Sequence, residues 1–162
     1  MEPPFDNTEG VLKTTVGYSG GAESDANYED VSTKATKHIE VIQVEFDPKI
    51  VSYDKLLDVY IKNIDPVDPA GQFADKGPQY LTAILYHDAE QQQKAEKFLS
   101  DLNESEKFKG RIATFLDEYK NFFAAEEYHQ DYYQKNPLRY NAYKYGSGRA
   151  SGLEKIWGNK VD

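Results

Sequence analysis

Residues 38–48, His-Ile-Glu-Val-Ile-Gln-Val-Glu-Phe-Asp-Pro, set a single carboxylate among apolar side chains. In an extended strand with a period of two, Glu40 shares a face with Ile42, Val44 and Phe46, while Ile39, Val41, Gln43 and Glu45 take the other. A carboxyl buried in that company is harder to ionise, because low dielectric penalises the charged form. It is then able to stay protonated near neutral pH and to donate a hydrogen bond or a proton. The alternative is structural: an edge position, or a register in which Glu40 pairs with a lysine such as Lys37.

Around such an acid the tyrosines matter most. There are 13 of them in 162 residues, and Tyr18, Tyr28, Tyr80 and Tyr128 fall in loops or at element ends, where a phenol offers an apolar ring and a hydroxyl donor together. A site lined by phenols and a neutral glutamic acid suits a small, polar, uncharged group; singly, each tyrosine is equally at home on the rim of the core. Asp75 and Gln79 stand where a loop rich in Pro, Gly and Asp meets the next strand. His38, His87 and His129 are far apart and lack the spacing of a histidine metal site, so no metal is expected. Gly17-Tyr-Ser-Gly-Gly21 lacks the lysine and following helix of a phosphate-binding loop. The Glu126, Glu127 pair reads as a solvated helix face.

Nineteen basic residues against 28 acidic ones leave a net charge of -9, which opposes nucleic acid and anionic lipid as partners. No apolar run reaches the ~20 residues of a membrane span, and Met1-Glu-Pro-Pro-Phe5 does not resemble an export signal. A soluble, cytoplasmic, monomeric protein of one domain, residues 1–162, is the expectation. There is no cysteine, which removes disulfides, thiolate metal sites and thiol catalysis from this polypeptide.

The elements that must position these residues follow from pattern. Residues 1–10 read as a loop or the first turn of a helix, residues 11–18 as a strand, and residues 22–37 as an ordered loop. After the Glu40 strand, Ser52 is placed to cap a helix whose stripe is Tyr53, Leu56, Leu57, Tyr60 and Ile61. Residues 65–78 form a second long loop, residues 80–87 a third strand, and Asp88 with Gln91 a capping box for a helix running to about Leu102. Residues 112–116 read as a fourth strand, residues 122–133 as a short aromatic helix ended by Asn136-Pro137, and the remainder as an irregular tail.

Taken in order, several segments resemble the A-type methionine sulfoxide reductases. They are Gly17-Tyr-Ser-Gly-Gly21, Tyr28-Glu-Asp-Val31, His38-Ile-Glu-Val41, Ile64-Asp-Pro66, Gly71-Gln-Phe-Ala-Asp-Lys-Gly77 with Gln79-Tyr80, and Ala125-Glu-Glu-Tyr-His-Gln-Asp-Tyr-Tyr133 with Lys135-Asn-Pro137. The resemblance covers nearly the whole chain. It implies an α+β fold, a two-layer α/β sandwich with a ferredoxin-like core and long coil segments. It also implies that Glu40 is the acid that protonates the sulfoxide oxygen, and that Tyr28, Tyr80 and Asp75 hold that oxygen directly or through water. The substrate would be oxidised methionine in proteins or as the free amino acid. No cofactor is implied beyond a thiol reductant such as thioredoxin or glutaredoxin, and the cysteine-free ending resembles the branch without C-terminal recycling thiols.

One departure stands out. The family's nucleophile lies in a Gly-Cys-Phe-Trp segment, with selenocysteine in some members, just upstream of the residues matching Met1-Glu-Pro-Pro-Phe5, and the first core strand precedes it. Lys34 and Lys37 also stand where the family commonly has glycine. Three readings follow: an incomplete form of a working reductase, a non-catalytic binder of oxidised methionine, or a structural remnant. As written, the 162 residues are expected to be inactive for want of a nucleophile.

Overall fold

The computed structural model describes residues 1–158. The chain opens with a short helix α1 (Glu2–Asp6), started by prolines at positions where a missing N–H is harmless. Strand β1 (Val11–Ser19) follows, then a turn of 3-10 helix (Glu23–Asp25) and α2 (Tyr28–Ser32), so the segment expected to be all loop contains two helical turns. Asn27 accounts for the second of them, since its side chain accepts the Asp30 N–H at 3.0 Å. Next come β2 (Ile39–Phe46) and α3 (Tyr53–Ile61), the latter capped by the Ser52 hydroxyl on the Lys55 N–H at 3.2 Å.

A hairpin of two-residue strands, β3 (Gly71–Gln72) and β4 (Asp75–Lys76), occupies the second long loop, and another 3-10 turn (Pro78–Tyr80) leads into β5 (Ala83–Tyr86). Helix α4 (Ala89–Glu104) starts on Asp88, which accepts the Gln91 N–H, while Gln91 reaches back to the His87 N–H rather than to that of Asp88. Strand β6 (Phe115–Glu118) lies slightly later than expected.

The C-terminal third differs most from expectation. Phe123–Ala124 form strand β7, not the start of an aromatic helix, and only Tyr132–Lys135 (α5) are helical before Asn136. Gln130 accounts for this: its side chain accepts the Val16 N–H at 3.0 Å and donates to the Val16 and Ala125 carbonyls at 2.9 Å, so the segment bonds to β1 rather than to itself. The tail expected to be irregular folds as α6 (Pro137–Gly146) and α7 (Arg149–Trp157); residues 159–162 of that tail lie outside the described residues. Pro137, read as a stop, is also an N1 residue that starts a helix.

The architecture is mixed α/β. The described strands form three small sheets, β2-β1-β7 antiparallel, the β3-β4 hairpin, and β5-β6 parallel. A ferredoxin-like core therefore belongs to the family resemblance and not to the pairing of the described strands. Helix α3 ties the parts together. Leu56 packs with Phe5 and Val51 beneath Ile42, Val44 and Phe46 of β2, while Leu57 packs with Ile84 of β5 and Ala95 of α4, and Tyr60 touches both groups. The hydroxyl of Tyr60 also accepts the Ala83 N–H at 3.1 Å. Among the described residues, no helix is long and apolar enough to cross a membrane.

Candidate functional site

Glu40 sits directly opposite Tyr18 in the β1-β2 register, so both side chains leave the same face of the sheet. That is the face of Ile42, Val44 and Phe46, as the period of two requires. The strand is not buried as expected, because none of its residues is fully covered and Glu40 is exposed to solvent. Even so, packed protein atoms push its pKa up to about 7, with the nearby Asp75 carboxylate as the second cause and the Met1 amine opposing. Exposure and displaced hydration coexist where a carboxyl reaches solvent at its tip while its stem is surrounded by packed atoms. Among the described residues no lysine or arginine forms an ion pair with it, and the Lys37 pairing does not occur.

The hairpin brings Asp75. Its shape depends on glycine at Gly77, where φ is +149° and a Cβ would lie 2.5 Å from the Gln79 Oε1. Gln72, buried at its base, accepts the Asp65 N–H at 2.8 Å and donates to the Asp65 carbonyl at 2.8 Å, which fixes the hairpin to the end of the α3 loop. Tyr80 follows at the end of the 3-10 turn, half-buried. Its pKa is raised first by burial, then by Glu40, Asp75 and Tyr28, with a hydrogen bond from Gln79 opposing. Tyr80 therefore lies within electrostatic reach of the other three expected site residues, and the structure brings Glu40, Asp75, Tyr80 and Tyr28 to one region.

Tyr28 is placed by Glu126. One carboxylate oxygen accepts the Tyr28 N–H at 2.7 Å and the other accepts the Tyr18 hydroxyl at 3.0 Å. Burial alone would raise the Glu126 pKa, but these bonds and one from its own N–H lower it. Glu126 is thus a buttress joining β1 to α2 and not the solvated helix face expected; Glu127 is solvent-exposed and pairs with Lys135 at 3.0 Å. His38 is buried and structural. Its Nε2 lies 2.9 Å from the Ala22 carbonyl and 3.0 Å from Asp25, and its Nδ1 accepts the Gly21 N–H, which braces the loop before α2. Among the described residues there is no cluster of three metal-ligating side chains.

Two further residues reach the site from the tail, and sequence reasoning missed them. Tyr143 of α6 donates its hydroxyl to the Asp75 carboxylate, and burial followed by that bond raises its own pKa strongly. Arg149, at the start of α7, donates to the Asn63 carbonyl at 2.6 Å and lies over the Phe73 ring at 5.4 Å. Gly152 makes room for that ring, since a Cβ there would meet it at 2.5 Å. Helix α7 thereby clamps the hairpin that carries Asp75. The signal available was Pro137 as a helix start followed by aromatic residues.

Known proteins resemble this chain in both sequence and fold. The profile of the peptide methionine sulfoxide reductase family matches residues 1–161. The chain is 45% identical over 160 residues to peptide methionine sulfoxide reductase MsrA 2 of Staphylococcus aureus (strain MRSA252), covering 99% of this chain and 90% of that protein. It is 47% identical over 162 residues to MsrA of Bacillus licheniformis, with 100% and 90% covered. The fold resembles the reduced form of Mxr1 from Saccharomyces cerevisiae, with a TM-score of 0.74, 32% identity, and coverage of 80% of this chain and 74% of that one. It likewise resembles methionine sulfoxide reductase A of Corynebacterium diphtheriae, with a TM-score of 0.71, 30% identity, and 83% and 68% covered. The chain belongs to the peptide methionine sulfoxide reductase family.

Proposed function

We propose that these residues form the oxygen-binding and proton-donating part of a peptide-methionine (S)-S-oxide reductase. In that reaction a thiolate or selenolate attacks the sulfoxide sulfur and takes its oxygen, and the methionine thioether is released. The oxygen becomes negative as the S–O bond breaks, so a neutral acid must supply a proton to it. Glu40 is that acid, and the observation that carries the reading is a solvent-reachable carboxyl on the apolar face of β2, opposite Tyr18, near Asp75 and Tyr80 and without a basic partner among the described residues. The phenols of Tyr28 and Tyr80 donate to the oxygen, and Asp75 keeps the Glu40 proton in place by like-charge repulsion. The nucleophile comes from outside these 162 residues, which contain no cysteine, and a thiol reductant such as thioredoxin or glutaredoxin would complete turnover.

The 162-residue chain is expected to show no reduction of methionine sulfoxide with dithiothreitol, and turnover above background would refute this. Extended at its amino end by a core strand and a Gly-Cys-Phe-Trp segment, the protein should reduce the S epimer and not the R epimer. In that extended form Glu40→Gln keeps the shape but has no acid proton, and the single-turnover rate should fall about 100- to 10,000-fold. A full rate in the Gln variant would remove Glu40 from the role of acid. Binding of the sulfoxide by the extended protein without any turnover would favour a non-catalytic binder.

A further inference from the structure

Outside the Glu40 site, the surface carries a row of aromatic rings. Tyr28 is 45% exposed and Tyr128 is 58% exposed, and His129 lies between them, its ring centroid 5.0 Å from the first and 4.3 Å from the second. Backbone bonds to Glu126 set the spacing of the row. The His129 N–H donates to the Glu126 carbonyl at 2.8 Å, and the same glutamate accepts the Tyr28 N–H. It is joined to the site, since the glutamate that accepts the Tyr28 N–H also accepts at 3.0 Å the hydroxyl of Tyr18, the residue opposite Glu40.

Its surroundings are anionic. Glu126 and Glu29 lie close enough to Tyr128 to help raise the pKa of its phenol, after burial. Glu29 and Asp30 are exposed and have no ion-pair partner among the described residues, whereas Glu127 is paired with Lys135 and the Glu126 carboxylate lies 3.9 Å from the His129 Nε2. Exposed aromatic faces bordered by unpaired carboxylates attract a cation twice, through the ring quadrupole and through charge. The net charge of -9 disfavours acidic partners in general.

We propose that Tyr28, His129 and Tyr128, edged by Glu29, form a docking surface for an extended polypeptide carrying arginine or lysine a few residues from its oxidised methionine. The inference rests on the sulfoxide reading of the Glu40 site and gives it a substrate class. With the sulfoxide at Glu40, the flanking chain runs outward over Tyr28, and the cationic side chain lies on the Tyr128 face within reach of Glu29.

The test needs binding only. The isotopically labelled 162-residue chain is titrated, by amide NMR, with short capped peptides containing one methionine (S)-sulfoxide in a neutral background. Arginine, alanine or glutamate is placed at each neighbouring position in turn. Arginine on one side of the sulfoxide should bind about 2- to 5-fold more tightly than alanine, and glutamate more weakly, with shifts at residues 28–30 and 127–129. Tyr128→Ala should abolish the arginine advantage, Tyr128→Phe should keep it, and Glu29→Gln should reduce it. No arginine advantage at any position, or an advantage that survives Tyr128→Ala, overturns the proposal. A parallel series with unoxidised methionine tests the other reading separately: equal binding of thioether and sulfoxide refutes the Glu40 assignment, while the arginine advantage is judged on its own.

Discussion

With its pKa pushed up to about 7, Glu40 ionises in the neutral range, where a carboxylate of ordinary pKa is already charged. The raised value means that the folded protein holds the proton more tightly than the unfolded chain. Its contribution to stability is fully present below the ordinary value of about 4.5 and is lost as pH rises through about 7. Glu40→Gln has no charge to desolvate, so it should be the more stable form above pH 7 and lose its advantage towards pH 4.5. Because the carboxyl is open to solvent, the difference at alkaline pH is held to about 1 kcal/mol. Urea unfolding of both forms across this range checks it, and a gap that widens as pH falls would contradict the sign. The face of this residue was legible from alternation alone, since Ile42, Val44 and Phe46 do pack inward. Its openness was not, because what lies above a strand end is set by segments distant in sequence.

At the scale of elements, caps and stripes were readable where local rules decide. Ser52 and Asp88 cap α3 and α4, and the Leu56, Leu57, Ile61 stripe is buried. Leu57→Ala should therefore cost about 2–5 kcal/mol, measured by thermal or denaturant unfolding, since it opens a cavity between α3 and Ile84. Residues 122–133 were misread because their aromatic spacing fits a helix, while the Gln130 amide bonds they make to β1 are invisible to periodicity. Tyr143 was missed for a related reason. Pro137 ends one helix and begins the next, and only the second role carries an aromatic side chain back to Asp75. The hairpin offers a test at this scale. Gly77→Ala forces a Cβ against Gln79 at a positive φ, and a loss of about 1–3 kcal/mol is expected, with displaced amide signals at Asp75 and Tyr80. An unchanged spectrum would show that the hairpin does not depend on that glycine.

For the molecule as a whole, the site is assembled from parts far apart along the chain. The Tyr143 bond to Asp75 spans 68 residues, the Gln130 bonds to Val16 span 114, and the Asp131 N–H donates to Glu2 across 129. Such separations carry a consequence for synthesis on the ribosome. Strand β1 and the Glu40 strand emerge early and can pair, but β1 waits for its partner on the other edge until Phe123–Ala124 have cleared the exit tunnel. Asp75 waits longer still, for α6. A nascent chain halted near residue 120 would present a naked strand edge and an acid without its surround, so holdase chaperones should bind it during that interval and release it when the last two helices emerge.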